Sequence, residues 1–160
     1  MARSLLYTCG LNHMVGIVVI QESIGSTFIV QNALLASRLS KRVGNRLSVH
    51  GVSLTEYLVM RYLDGAPHHA VPRIELADHL GMSASGVTRL IAPMEKNRVI
   101  ERATNPRDAR QRLVRLTETG QRIYGEASVS FEHIASELVG GLSLGQQEQM
   151  VALYAKVTSG

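Results

Sequence analysis

The stretch from Pro72 to Met94 constrains the fold most, because it holds two short helical periods separated by only four residues, Leu80-Gly81-Met82-Ser83. Pro72 suits a first helical turn, where its missing amide has no partner to lose. Ile74, Leu76, Ala77 and Leu80 then supply apolar positions up to Gly81. Ser83 offers a hydroxyl to the free amides of a second helix. In that helix Val87, Leu90, Ile91 and Met94 fall at i, i+3, i+4 and i+7, one buried face, leaving Ser85, Thr88, Arg89 and Ala92 on the other. Two short helices about a tight turn read as a helix-turn-helix, whose second helix enters a DNA major groove with its first turns against the base edges. Small residues such as Ser83, Ser85, Gly86 and Thr88 allow close approach, and Arg89 offers the paired donors that guanine accepts. An ordinary helical hairpin has the same pattern over these residues alone, so the flanking sequence decides.

Val99-Ile100-Glu101-Arg102 and Arg112-Leu113-Val114-Arg115-Leu116 read as two short strands, apolar inside and arginine outside. The loop expected between them, Ala103 to Gln111, holds the turn signal Asn105-Pro106 and then Arg107-Asp108-Ala109-Arg110. A hairpin with arginines at its tip is a wing, and a narrow minor groove favours an inserted arginine without any base code. Charge supports this. The chain carries a net +4, yet between Ser83 and Arg115 eight basic residues face only three acids, so the remainder is slightly acidic. Basic charge gathered in one segment is the footprint of a polyanion binder.

The rest of the chain reads as helical support. Residues 1–26 show no periodicity, and Gly10, Gly16 and Gly25 interrupt any helix there. From about Thr27 the pattern turns helical, with Leu35, Leu39, Val43 and Leu47 spaced at i+4 until Gly51. Ser53 and Glu56 form a capping box that opens a helix to about Leu63, followed by a loop with Gly65, Pro67, His68 and His69. Thr117 caps a long helix from Glu118 to Val139, broken by Gly140-Gly141. Ser143 and Gln146 cap a last helix carrying Leu144, Val151, Leu153, Tyr154 and Val157. The two terminal helices are expected to pack against the first long one. The expected organisation is an N-terminal extension (1–26), a dimerisation helix (27–50), a winged helix-turn-helix (51–116) and C-terminal dimerisation helices (117–158). The fold is mainly α with a small β-hairpin wing.

Other chemistries find little support. At 160 residues with 45% hydrophobic content, the chain can bury a core without a disulfide or metal. Its one cysteine, Cys9, excludes a disulfide framework and multi-cysteine zinc patterns. The longest apolar run, Met14 to Ile20, is far short of the roughly 20 residues that span a bilayer. With Arg3 before it that run faintly resembles a secretion signal, but Asn12 and His13 interrupt it, so a cytoplasmic protein is expected. No glycine-rich phosphate loop or nucleophile elbow is present, and no cofactor is expected. Of six histidines, His68 and His69 are adjacent and His50, His79 and His133 isolated, which argues against a shared metal ion.

From Ser53 to Gly120 the chain resembles the MarR family, the multiple-antibiotic-resistance type of bacterial transcriptional regulators. The resemblance is carried by Ile74-Glu75-Leu76-Ala77 with Leu80-Gly81-Met82-Ser83, by Val87-Thr88-Arg89-Leu90, and by Asp108-Ala109-Arg110 with Leu113-Val114-Arg115-Leu116-Thr117 and Gly120. It implies a homodimer with a winged helix on each side, and a repressor released by an unidentified small molecule. It also implies that Arg110 reaches the minor groove while Asp108 orients it through a salt bridge, with a pocket near His50 and Tyr57. Two positions depart from the pattern. Arg98 stands where glycine usually ends the recognition helix, so Asn97 is expected to take the left-handed turn conformation, and Pro93 inside that helix is expected to kink it. Two alternatives stay open at this point: a winged-helix protein-interaction module without DNA affinity, and a redox-responsive regulator using Cys9.

Overall fold

The computed structural model describes residues 22–105 and 108–158. Cys9 and most of the 1–26 segment lie outside the described residues. The chain divides into two compact units, one ending at Ser40 and the other running from Lys41 onward.

The described part of the first unit is helical. Helix α1 (Ile24–Leu47) begins three residues earlier than its periodicity predicts, with Gly25 in its first turn. Ser23 explains the difference, since its hydroxyl accepts the Ser26 amide (3.1 Å) and its carbonyl accepts that of Thr27 (3.0 Å). A cap of that kind offsets the roughly 1 kcal/mol that glycine costs inside a helix. Ile24, Ile29, Val30 and Leu34 are exposed.

In the second unit the last turns of α1 bury Val43 and Leu47, and a 3₁₀ turn (Ser48–His50) ends at Gly51 with φ +72°. Helix α2 (Leu54–Asp64) opens with the expected capping box: Ser53 accepts the Glu56 amide, and Glu56 accepts the Ser53 amide. After a turn at Pro67–His69 comes a strand absent from the sequence reading, β1 (Ala70–Pro72). It then enters helix α3 (Arg73–Leu80), which ends at Gly81. Helix α4 (Ala84–Lys96) starts at Ser83, whose hydroxyl accepts the Gly86 amide. The helix continues through Pro93, whose side chain is exposed.

Strands β2 (Ile100–Asn105) and β3 (Asp108–Leu116) pair antiparallel, with β3 central in the order β1-β3-β2. Most of the expected loop Ala103–Gln111 is therefore strand. The pairing starts at Ile100 opposite Leu116, reaches Thr104 opposite Arg112, and shifts register before Asn105. Short polar segments such as these carry no alternation of their own, and their strand character comes from the partner across the ladder. Helix α5 (Glu118–Val139) is capped by Thr117, and helix α6 (Leu144–Thr158) by the Ser143–Gln146 box.

The core lies where α2, α3, α4 and the sheet meet, around Tyr57, Met60, Leu63, Leu76, Val87, Ile91, Ile100, Val114 and Leu116. Helix α5 packs chiefly on α2. Tyr57 stacks on Phe131 (centroids 4.5 Å apart) and lies 5.5 Å from Tyr124. An exposed ion pair, Arg46–Glu137 at 3.4 Å, joins α5 to the last turn of α1. No residue of α6 is buried.

Candidate nucleic-acid interface

The geometry of α4 follows from its amphipathic sequence. Val87, Ile91 and Met94 are buried, and Leu90 is half-buried beside them. Ser83, Ser85, Thr88, Arg89 and Ala92 are exposed, as their spacing predicts. The first turn is compact: the Ser83 and Ser85 hydroxyls are 3.1 Å apart. A methyl group at Gly86 would lie 3.2 Å from the Ser83 hydroxyl and 3.3 Å from the Met82 methyl, tight contacts that would make those two side-chain ends give by a few tenths of an ångström. Arg89 makes no hydrogen bond or ion pair among the described residues and keeps all of its donors.

Both ends of the α3–α4 pair close in the same way. After α3, the Gly81 amide bonds to the Asp78 carbonyl (3.1 Å) and that of Met82 to Ala77 (2.9 Å). After α4, the Arg98 amide bonds to Glu95 (3.0 Å) and that of Val99 to Met94 (2.9 Å). Both are paired-bond turns of the Schellman type, which require a left-handed residue. At the second turn that residue is Arg98 itself, with φ +57°, and not Asn97, which sits at φ −83°. Buried Met94 and Val99 give that turn its apolar contact, which compensates for the arginine's backbone strain.

The wing's charge is arranged less simply than its composition predicts. Arg102 makes a two-pronged contact with Glu95, with Nη2 at 2.9 Å and Nε at 3.1 Å, tying β2 to the last turn of α4. That carboxylate holds the Arg102 guanidinium above its ordinary pKa, chiefly through the hydrogen bonds. Arg115 pairs across the ladder with Glu101 (2.5 Å). Two arginines counted as basic surface are thus locally neutralised, whereas exposed Arg112 has no ion pair among the described residues. Arg107 lies outside the described residues. Asp108 and Arg110 belong to β3 by backbone, but their side chains, and the salt bridge expected between them, lie outside the described residues as well.

Arg73 is a residue the sequence reading missed. It opens α3, and its Nη2 donates to the Thr88 hydroxyl on the exposed face of α4 (2.9 Å). No periodicity reports such a contact, because it depends on how the two helices dock. His50 and Tyr57, expected near a pocket, are both engaged by α5. The His50 Nε2 is 2.8 Å from the Ser130 hydroxyl, and the Tyr57 hydroxyl donates to that of Ser128 (3.3 Å). Burial pushes the Tyr57 phenol above its ordinary pKa. Among the described residues no group of three or more metal-ligating side chains converges, and no helix is long and apolar enough to cross a membrane.

Residues 50–111 match the model of the MarR family. The transcriptional repressor MprA of Escherichia coli is 26% identical over 125 residues, covering 78% of this chain and 71% of that protein. The fold is shared with AbsC, a MarR family transcriptional regulator from Streptomyces coelicolor (TM-score 0.77, 15% identity, 88% of this chain and 97% of that one). It is shared also with Sco3205, a MarR family regulator of the same organism solved in complex with DNA (TM-score 0.76, 19% identity, 87% and 89%).

Proposed function

The chain belongs to the MarR family of DNA-binding transcriptional regulators, and from that premise we propose that it is a repressor, a homodimer that holds a pseudo-palindromic DNA site until a small-molecule effector releases it. The observation that carries this reading is the division of α4 into a buried face, Val87, Ile91 and Met94, and an exposed face that presents Ser85, Thr88 and Arg89. On that exposed face Ser83, Ser85, Gly86, Thr88 and Arg89 meet the base edges. On the wing Arg107 and Arg110 enter the minor groove, with Asp108 orienting Arg110. Residues 51–116 carry the DNA, and residues 27–50 and 117–158 make the dimer. Two observations support the dimer: exposed Ile29, Val30 and Leu34 on α1, and exposed Leu144, Val151 and Leu153 on α6. Uncovered apolar surface of that extent calls for a partner, and an isologous contact between copies is the commonest solution. The name of MprA as a repressor supports the sign of regulation.

Selection of the full-length protein on a random double-stranded DNA library tests the proposal. The expected product is an inverted repeat with half-sites about 10–10.5 base pairs apart or a multiple of that. Affinity should fall steeply with ionic strength, as phosphate contacts demand. Arg89→Ala should cost about 1–3 kcal/mol of specific binding while leaving the melting temperature unchanged. Salt-insensitive binding with no enriched sequence would instead favour a protein-interaction module, and a monomer by light scattering at micromolar concentration would remove the dimer.

A further inference from the structure

We propose that Arg73 makes Thr88 a one-way reader of DNA, a hydroxyl that can accept a hydrogen bond from a base but has no proton to give. The inference rests on the DNA-binding reading above and assigns a specificity role to a residue outside the recognition helix.

A threonine hydroxyl has one proton and two acceptor positions. On α4 the Thr88 hydroxyl gives its proton to the Ala84 carbonyl one turn back (2.8 Å). It also receives a proton from Arg73 Nη2 (2.9 Å). One acceptor position is left and no donor. The bond to Ala84 alone would not hold this state, because a free hydroxyl can rotate from a helix carbonyl toward a better acceptor. Arg73 removes that freedom: turning the proton outward would swing a lone pair away from a charged donor, and hydrogen bonds to charged groups are the stronger ones. Arg73 is itself half-buried and makes no other hydrogen bond or ion pair among the described residues, so no other described group of the chain competes for it.

The consequence is chemical. In the major groove adenine and cytosine present an exocyclic amino group that donates, whereas guanine N7 and O6, adenine N7 and thymine O4 only accept. An acceptor-only hydroxyl can bond the amino groups and must leave the others unpaired. Thr88 should therefore sense an exocyclic amino group, and Arg73 should be what makes it do so. Arg73 is a positioning residue in this scheme.

The test uses the full-length protein and the site it selects from a random duplex library. Duplexes are then made with the amino group deleted at each position in turn, purine for adenine and 2-pyrimidinone for cytosine, or with N7 deleted by 7-deazapurine. For the wild type, amino deletion at one position per half-site should weaken binding about fivefold, the value of one net hydrogen bond. Thr88→Val, which keeps shape and methyl, should lose that sensitivity while keeping every response to 7-deazapurine, and Thr88→Ser should retain it. Arg73→Met should reduce the penalty to twofold or less, and Arg73→Lys should restore it. Melting temperatures confirm that each variant is folded. If Thr88→Val instead erases a 7-deazapurine response, the hydroxyl donates and the inference is overturned. It is equally overturned if Thr88→Val or Arg73→Met leaves every amino response intact. If the wild type enriches no site at all, the DNA-binding reading fails and takes this inference with it.

Discussion

The winged-helix body and the final helix make opposite use of similar sequence. In α4 the apolar residues Val87, Ile91 and Met94 are almost completely buried. In α6 the apolar residues Leu144, Val151 and Leu153 are 71%, 71% and 53% exposed. Both helices open with a serine cap, and both have apolar residues at helical spacing. An apolar stripe therefore identifies a helix and the existence of something to cover it. Whether the cover is the same chain depends on which elements the topology brings alongside. For α4 it brings α2, α3 and β2, and α6 buries no residue of its own.

The contrast can be broken most directly in the body. Ile91→Ala should cost about 3 kcal/mol by urea titration, because the cavity it leaves is walled by core on every side. A loss below about 1 kcal/mol would mean that the body is packed no better than the periphery. In α6 the double change Val151→Glu and Leu153→Glu should shift dissociation of the proposed dimer roughly 100-fold, read by sedimentation, with the unfolding midpoint of the monomer unaltered. If the chain stays dimeric, α6 is not the covered surface. A smaller effect sharpens the comparison at the end of α4: Arg98→Gly should stabilise the protein by about 1 kcal/mol, since glycine adopts positive φ without strain. The expected rise in melting temperature would be absent if the Arg98 side chain made contacts that compensate for its backbone strain. Smallest of all, Arg115→Gln should change stability by less than about 0.5 kcal/mol, because the Arg115–Glu101 pair is half exposed.

Features written in local chemistry were legible. The caps at Ser53, Ser83, Thr117 and Ser143, and the stop at Gly81, need only neighbours within four residues, and each lies where the spacing predicts. Features that depend on docking were not. Strand β1 exists because β3 offers it a ladder, and three residues cannot announce that on their own. The Arg73–Thr88 contact spans 15 positions, and the neutralisation of Arg102 by Glu95 requires β2 to lie along the end of α4. The left-handed residue after α4 was misplaced by one because intrinsic preference favours asparagine, whereas the paired-bond turn fixes the position by counting back to Met94.

The junction at Thr117 has a mechanical meaning. The Thr117 hydroxyl donates to the Arg98 carbonyl (2.6 Å), and its amide donates to that of Val99 (3.1 Å). Gly120 lies so close to the Val99 carbonyl that a methyl group there would overlap it. The end of α4 and the start of α5 are thereby clamped into one joint, with a 22-residue helix as the arm beyond it. That arm is about 33 Å long, so a tilt of about 5° at the joint corresponds to about 3 Å at its far end. The lever works in both directions. A small displacement imposed where α5 ends would turn the whole winged body, and in the proposed dimer two such levers would set the distance between recognition helices that must match one helical turn of DNA, about 34 Å. On the proposed reading, release from DNA would then need no rearrangement of the core, only a few degrees of swing.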